Sequence, residues 1–138
     1  MLKVWISGAN GHLGQALCTR LDREKYQLIA TDVAEVDVTV PAEVRAFADA
    51  NRPDVIINCA AYTNVDGCEV NHDAAFKANA IGPRNLAQAA TKTGARLVHV
   101  STDYVFSGRE NGGIPQDEAT IPGPISAYGS TKLMGEKY

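Results

Sequence analysis

The sequence has little cysteine, and its cysteines form no recognisable scaffold. The three cysteines are odd in number and none belongs to a CxxC pair: Cys18, Cys59 and Cys68. This usage argues against a disulfide framework and a zinc ribbon, and it fits a reducing compartment. The three histidines also lack an HxxxH spacing. We therefore predict buried or half-buried free thiols and no metal site.

An excess of one charge and long apolar runs are also lacking. Thirteen Lys and Arg stand against sixteen Asp and Glu, for a formal net charge of −3. The basic residues are scattered, which argues against nucleic acid or anionic lipid as a partner. Apolar runs such as 55–57 fall far below the roughly 18 residues of a membrane span. The N-terminus turns polar at Ser7, which argues against a signal peptide. We expect a cytoplasmic protein without a membrane partner.

The chain of 138 residues is 45% hydrophobic and 21% charged, as in an ordinary globular domain. Apolar runs rich in β-branched residues alternate with segments of helical spacing, a pattern typical of βαβ units. The predicted strands are 3–7, 27–31, 54–58 and 96–101. The sequence therefore predicts an α/β fold, a Rossmann-like doubly wound parallel sheet in one domain over 1–138.

Three helices are predicted between the strands, and a fourth follows them. The first has an apolar stripe at Leu13, Ala16, Leu17 and Leu21, and the second covers 42–50 with Pro41 in its first turn. The third, 74–93, is expected to turn Phe76, Ala80, Leu86 and Ala90 inward, with a kink or a boundary at Gly82 and Pro83 and a cap at Gly94. The last begins near Ser126.

A long loop over 107–124 separates the fourth strand from the last helix, since Gly and Pro are frequent there. A dinucleotide-binding fold normally has two more strands beyond this point. We therefore expect the domain to be incomplete, truncated before the last strands and a substrate domain. An isolated chain is then expected to be unstable, dependent on a partner for folding, or inactive. The fourth strand is then expected to leave an unpaired sheet edge.

A glycine-rich segment, GANGHLG at 8–14, follows the first predicted strand and opens into the first helix. Gly8 allows a sharp turn, Gly11 leaves room for a pyrophosphate near the backbone, and Gly14 permits close helix packing. The helix N-terminus offers free N–H groups to the phosphates. The spacing is GxxGxxG, so a tight βα turn that binds no ligand is the alternative.

Asp32 ends the second predicted strand, near the roughly 20-residue offset at which a carboxylate meets the adenosine ribose. A carboxylate there accepts hydrogen bonds from ribose hydroxyls and repels a 2′-phosphate, which favours NADH. Asp37 and Val38 follow where a loop could flank the adenine. A simple helix cap is the alternative for Asp37.

Tyr128 and Lys132 lie four residues apart, on one face of the last predicted helix. A tyrosine, with a reference pKa of about 10, exchanges protons poorly at neutral pH unless a nearby cation stabilises its phenolate. Lys132 is a candidate for that cation. An exposed tyrosine beside a solvated lysine is the alternative, and the position after the glycine loop and fourth strand disfavours it.

Four segments together carry a resemblance to a known family: GANGHLG at 8–14, PDVIINCAAYTNVDGCE at 53–69, VHVSTDYVFSG at 98–108 and YGSTKLMGE at 128–136. They resemble the extended short-chain dehydrogenase/reductase superfamily and, within it, the dTDP-4-dehydrorhamnose reductase family. The segment STDYVFSG narrows the resemblance to the family. Related dehydratases usually have Thr-Asp-Glu where this chain has Thr102, Asp103 and Tyr104.

The resemblance implies reduction of the C4 ketone of dTDP-4-dehydro-L-rhamnose by NADPH or NADH, with a nucleotide sugar as substrate. It implies that Tyr128 is the general acid, that Lys132 lowers its pKa and holds the nicotinamide ribose, and that Thr102 and Asp103 contact the sugar. It also implies cofactor contacts by the backbone of Gly11, His12 and Leu13, and by Ala60, Ala61 and Tyr62 after the third strand.

Two other functions stay open. One is a non-catalytic nucleotide-binding regulator, as in the regulatory subunit of methionine adenosyltransferase, although a binding module needs no Tyr128, Lys132 and Thr102. The other is an epimerase or dehydratase on a related nucleotide sugar, in which a Glu after Asp103 is expected. A homodimer is a further hypothesis.

Overall fold

The fold is built on a parallel sheet of four strands. The computed structural model describes residues 1–109 and 113–138. Strands β1 (Leu2–Ser7), β2 (Tyr26–Thr31), β3 (Val55–Asn58) and β4 (Arg96–His99) run parallel in the order β2-β1-β3-β4. All four predicted strands are confirmed, and β4 ends two residues before its predicted end.

The strand order creates a crevice at one end of the sheet. The chain leaves β1 for β2 on one side, then crosses over to β3 on the other side of β1. Connections that depart in opposite directions from neighbouring parallel strands leave space at their carboxyl ends, where ligands bind in open α/β sheets. Ser7, Asn58 and His99 stand in register at these ends of β1, β3 and β4.

Within the described ranges six α-helices connect and follow the strands: α1 (His12–Arg20), α2 (Pro41–Asn51), α3 (Val65–Val70), α4 (His72–Phe76), α5 (Gly82–Thr93) and α6 (Ala127–Lys137). A π-helical turn, Lys77–Ile81, joins α4 to α5, and a short 3₁₀ turn covers Asp103–Val105. The boundary predicted at Gly82 is confirmed, Gly94 ends α5 in a left-handed conformation, and Ser126 caps α6. The short helix α3 lies in the acidic stretch of Asp66, Glu69 and Asp73, where the sequence predicts a solvated helix start.

Helices cover both faces of the sheet, as a doubly wound fold requires. On one face Trp5, Ile56 and Leu86 are fully buried with residues of α2 and α5. On the other face Val4 and Ile6 pack against residues of α1, Leu17 among them. Each face thus has its own apolar core, which confirms the predicted α/β architecture.

The apolar face of α1 differs from the prediction. Leu13 and Ala16 are exposed, whereas Gly14, Leu17, Cys18 and Leu21 turn toward the sheet. The reason is the close contact of Gly14: a Cβ there would collide with the carbonyl oxygen of Gly8. This contact sets the rotation of the helix and turns position 13 outward.

Phe76 was also predicted wrongly as a core residue, since 36% of its surface is exposed. Ala75 is buried in its place, and Ala80, which was also predicted to face inward, is buried as expected. An α-helix would place residues 76 and 80 on one face, but the π-helical turn at Lys77–Ile81 adds a residue and pairs 75 with 80. The other predicted inward residues of this segment, Leu86 and Ala90, are buried.

The remaining features agree with the sequence predictions. In the described part of the chain β4 pairs only with β3, so it forms the expected sheet edge. Cys18, Cys59 and Cys68 are free and half-buried or buried. The predicted loop has no helix or strand over 107–109 and 113–124, and its residues 110–112 lie outside the described residues. No helix among the described residues is long and apolar enough to cross a membrane.

Candidate functional site

A cavity of about 420 Å³ opens at the carboxyl ends of β1 and β3. Eight of the predicted cofactor-binding residues line it: Gly8, Gly11, Asp32, Asp37, Val38, Ala60, Ala61 and Tyr62. They come from three separate segments, the glycine loop, the segment after β2 and the segment after β3. The topology therefore assembles one site from residues that are far apart in the sequence.

The glycine loop needs its glycines for contacts of the backbone. Gly8 has a φ of +71°, and a Cβ there would lie 2.5 Å from the backbone nitrogen of Ala60. At Gly11 a Cβ would have one neighbour, the carbonyl oxygen of Gly8 at 3.4 Å, and otherwise open space. Gly11 also supplies no side-chain cap to α1. This unfilled space beside a helix N-terminus fits a phosphate group.

Asp32 is fixed in the wall of the cavity by the backbone. Its Oδ2 accepts a hydrogen bond of 2.9 Å from Asn10 N in the glycine loop, and its Oδ1 accepts one of 2.8 Å from Val33 N. A carboxylate accepts about four hydrogen bonds, so ribose hydroxyls still find acceptor capacity. The second predicted acid, Asp37, accepts from both Thr39 N and Thr39 Oγ1, which is the behaviour of a turn cap.

Asn79 connects the cavity to α6, and sequence reasoning missed it. Its Oδ1 accepts from Tyr62 N at 2.8 Å, while its Nδ2 donates to Tyr62 O at 3.0 Å and to Thr131 Oγ1 at 3.2 Å. Asn79 is fully buried in the π-helical turn. Although π-helical turns often occur at functional sites, the sequence gives no signal for this turn or for the burial of Asn79.

Two glycines let α6 approach its neighbours closely. A Cβ on Gly129 would collide with the carbonyl oxygen of Tyr104, and one on Gly135 would collide with that of Asn79. The helix therefore lies directly on the 3₁₀ turn and the π-helical turn. Tyr128 and Lys132, both on α6, are placed by these two contacts.

Lys132 is buried, with 2% of its surface exposed. Its Nζ donates a hydrogen bond of 2.6 Å to the carbonyl of Val100, at the end of β4. Burial lowers the pKa of Lys132, and the Glu136 carboxylate one turn later acts in the opposite direction. Glu136 also accepts a hydrogen bond from Ser101 Oγ. The lysine is thus a fixed group and not a solvated surface lysine.

Tyr128 is half-buried, and its ring meets Tyr104 edge to face with 5.5 Å between the centroids. Thr102, two residues before Tyr104, accepts a hydrogen bond of 3.2 Å from Tyr104 N and so caps the 3₁₀ turn. Asp103 is exposed in the first position of that turn. The predicted catalytic and substrate-binding residues therefore share one region, where the 3₁₀ turn packs on α6.

Beneath the site lies a buried polar network that the sequence did not reveal. Asn58 Oδ1 accepts from Ser7 Oγ at 2.8 Å and from Ala60 N at 3.0 Å. Since Ala60 N only donates, the atom it meets is the oxygen, and Asn58 Nδ2 is left to face His99 Nδ1 at 3.1 Å. His99 is therefore an acceptor at Nδ1 and carries its proton on Nε2. Burial lowers the pKa of His99 to about 4, and the positive charge of Lys132 makes a smaller contribution in the same direction.

Not every predicted residue faces the cavity. His12, Leu13 and Gly14 form the first turn of α1, with Gly14 turned toward the strand ends and the other two exposed. The residues that line the cavity do not include Tyr128, Lys132, Thr102 or Asp103. Tyr62 and Asn79 form the bridge between the cavity and the helix of Tyr128.

Known proteins are similar to this chain over nearly its whole length. The family described as the RmlD substrate binding domain matches residues 2–138. The chain belongs to this family. Among its curated relatives, dTDP-4-dehydrorhamnose reductase of Mycobacterium tuberculosis is 42% identical over 134 residues, which are 96% of this chain and 43% of the relative.

Solved structures of dTDP-4-dehydrorhamnose reductases show the same fold. A dTDP-4-dehydrorhamnose reductase from Clostridium acetobutylicum is 47% identical to this chain and superposes on it with a TM-score of 0.95. The match covers 99% of this chain and 48% of the reductase. The enzyme from Bacillus anthracis, in complex with NADP, has 44% identity and a TM-score of 0.95 over the same shares. The chain thus spans about half the length of the relatives it matches.

Proposed function

We propose that residues 1–138 are the dinucleotide-binding and catalytic part of an NAD(P)H-dependent nucleotide-sugar reductase. The proposed reaction is reduction of the C4 ketone of dTDP-4-dehydro-L-rhamnose to dTDP-L-rhamnose. The observation that carries it is the bridge from Tyr62 through Asn79 to Thr131, which joins a glycine-lined cavity to the helix of Tyr128 and Lys132. The names of the relatives supply the substrate.

The residues present fit a dinucleotide. Gly11 leaves space beside the first turn of α1, whose N–H groups favour phosphate, and Asp32 offers carboxylate oxygens to a ribose. Ala61 and Tyr62, from the segment after β3, also line the cavity. When bound, the reduced nicotinamide supplies a hydride.

Tyr128 is the proposed proton donor. Its Oη gives a proton to the oxygen on C4 of the sugar as negative charge develops there, and a phenolate remains. The ammonium of Lys132 stabilises that phenolate, because an opposite charge nearby favours the ionised form. The hydrogen bond from Lys132 Nζ to Val100 O fixes the lysine on α6, in the next turn after Tyr128. Thr102 Oγ1 is proposed to donate to the same sugar oxygen, and Asp103 to bind a sugar hydroxyl.

The cavity favours NADH over NADPH, although both are proposed cofactors. Its described lining contains the carboxylates of Asp32 and Asp37 and neither lysine nor arginine. A carboxylate repels a 2′-phosphate, whereas an arginine would accommodate it. The Bacillus anthracis relative was solved with NADP, so the phosphate is expected to weaken binding without abolishing it.

The proposal also includes a cellular compartment and an oligomeric state. We place the protein in the cytoplasm, which its three free thiols favour. A homodimer remains a proposal, and sedimentation equilibrium of the chain measures it directly.

A fluorescence titration of the chain with NADH and NADPH, followed by an assay with dTDP-4-dehydro-L-rhamnose, tests the function. We expect saturable binding that is lost in Gly11→Val, since that side chain fills the space beside the helix N-terminus. Oxidation of NADH that depends on the sugar supports the reductase. Because the chain spans about half the length of its relatives, binding without sugar-dependent oxidation supports the cofactor site alone. An affinity unchanged by Gly11→Val contradicts the cofactor site.

A further inference from the structure

The first turn of α6 is held by a side chain from a distant part of the sequence. Ala127 N donates a hydrogen bond of 2.7 Å to Oε1 of Glu69, which belongs to α3. The first N–H groups of a helix have no partner within it, and the positive end of the helix dipole attracts a carboxylate. Glu69 meets both needs, because it accepts from the first residue of α6.

A second cap, Ser126, acts locally. Its Oγ accepts from Gly129 N at 3.0 Å, and its carbonyl oxygen accepts from Ser130 N at 2.9 Å. These bonds lie within one turn and fix its shape. Glu69 is 58 residues away in the sequence, so its bond fixes where that turn lies relative to α3.

Helix α3 is in turn attached to the wall of the cavity. Asn64 caps its start by accepting from Gly67 N at 2.8 Å. Cys68 Sγ donates to the carbonyl oxygen of Tyr62 at 3.7 Å, and Asn71 Nδ2 donates to Tyr62 Oη at 3.3 Å. Tyr62 lines the cavity. The short helix therefore connects the cavity wall to the residue before Tyr128.

We propose that Glu69 is a positioning residue for Tyr128. Its carboxylate, acting through Ala127, sets the first turn of α6 at a defined distance from the cavity wall and so orients the phenol of the next residue. The functional part of this inference rests on the proposed role of Tyr128 as proton donor. The sequence offers no local signal for it, because Glu69 is part of an acidic stretch that resembles a solvated helix start.

Three variants of the full chain separate the hydrogen bond from a general loss of charge. Glu69→Ala removes the acceptor, and Glu69→Gln keeps an oxygen that accepts from Ala127 N. Asp73→Ala is the matched control, since it removes an acid from the first turn of the next helix, α4. Circular dichroism establishes that each variant keeps its fold.

Nuclear magnetic resonance gives a readout that needs neither cofactor nor substrate. In Glu69→Ala we expect amide exchange at Ala127 and Gly129 to become about fivefold faster, as for loss of a helix cap. The ring signals of Tyr104 should shift, because its edge contact with Tyr128 depends on the same turn. Glu69→Gln should restore both signals to within about twofold of the wild type. Asp73→Ala should leave them unchanged.

Kinetics supply the second readout. Glu69→Ala is expected to lower kcat for sugar reduction about tenfold, or about 1.4 kcal/mol, while KM for NADH stays within about twofold. The proposal is overturned if neither the amide exchange nor the Tyr104 ring signals change in Glu69→Ala. It is also overturned if amide exchange at Ala127 becomes faster in that variant while kcat stays unchanged. A wild-type chain that neither binds NADH nor reduces the sugar contradicts the proposed function instead, and the magnetic resonance result then decides the role of Glu69 alone.

Discussion

The carbonyl oxygen of Tyr104 lies so close to Gly129 that any Cβ at residue 129 would collide with it. Gly129→Ala is therefore expected to destabilise the chain by about 1–2 kcal/mol. A helical alanine is about 1 kcal/mol better than glycine, but overpacking against a backbone atom that cannot move freely costs about 2–3 kcal/mol, the upper part of the usual range. Urea unfolding of the variant measures the difference.

The neighbouring exposed residue provides the control for this prediction. Ser130→Ala also introduces alanine into the first turns of α6 but at an open position, so its free energy of unfolding should stay within about 0.5 kcal/mol of the wild type. A Gly129→Ala protein as stable as Ser130→Ala would show that the 3₁₀ turn and α6 are less closely packed than the structure has them.

The fold was predictable to the extent that it depends on local pattern. The strands of the sheet and the capping of α6 by Ser126 follow from β-branched runs and from one cap residue, since these signals lie within a few positions. The inward face of Phe76 was predicted wrongly because one π-helical turn changes the phase of every residue before it. No periodicity in the sequence marks that turn.

The candidate site was predictable only in part, for a related reason. Glycines and an acid at fixed offsets revealed the cavity residues Gly11 and Asp32, because their chemistry is encoded in spacing. The bonds of Asn79 to Tyr62 and of Glu69 to Ala127 join segments far apart in the chain. Such contacts exist only after the sheet has assembled, so a single sequence does not reveal them.

Tyr128→Phe is expected to lower the rate of sugar reduction about 10²- to 10⁴-fold, the range for loss of a general acid. The affinity for NADH should change less than about twofold, because the ring and its edge contact with Tyr104 remain. Stopped-flow oxidation of NADH measures the first quantity and a fluorescence titration the second. Tyr104→Phe is the matched control and should keep its activity; a Tyr128→Phe protein of normal rate would exclude the phenol as proton donor.

Asp32→Ala is expected to shift the ratio of NADPH to NADH affinity about tenfold toward NADPH, which corresponds to about 1.4 kcal/mol. The variant removes the repulsion of a 2′-phosphate together with the acceptors for the ribose hydroxyls. Parallel titrations with both cofactors give the ratio. Asp49→Ala removes an acid from α2, where it pairs with Lys92, and should leave the ratio unchanged. An unaltered ratio in Asp32→Ala would place the ribose elsewhere.

His99 should make stability depend on pH below about 6.5. Its pKa is about 4 in the folded chain and about 6.5 in an unfolded one, since burial beside Lys132 disfavours its charged form. Between these values the unfolded state binds more protons, so the free energy of unfolding falls as the pH falls, with a slope approaching about 1.4 kcal/mol per pH unit. The Asn58 amide donates to His99 Nδ1 and so also disfavours the charged imidazole, because a protonated Nδ1 cannot accept that hydrogen bond.

Urea unfolding at pH 7.0, 6.0 and 5.0 measures this slope, above the range in which most carboxylates titrate. His99→Gln should remove from this slope the contribution of the proton that His99 binds on unfolding, because no group at residue 99 then titrates in this window. His72→Gln, at the exposed start of α4, should keep the wild-type slope. Equal slopes for His99→Gln and His72→Gln would mean that His99 is protonated as readily in the folded chain as in the unfolded one. The hydrogen bonds from Ser7 through Asn58 would then not keep His99 neutral beside Lys132.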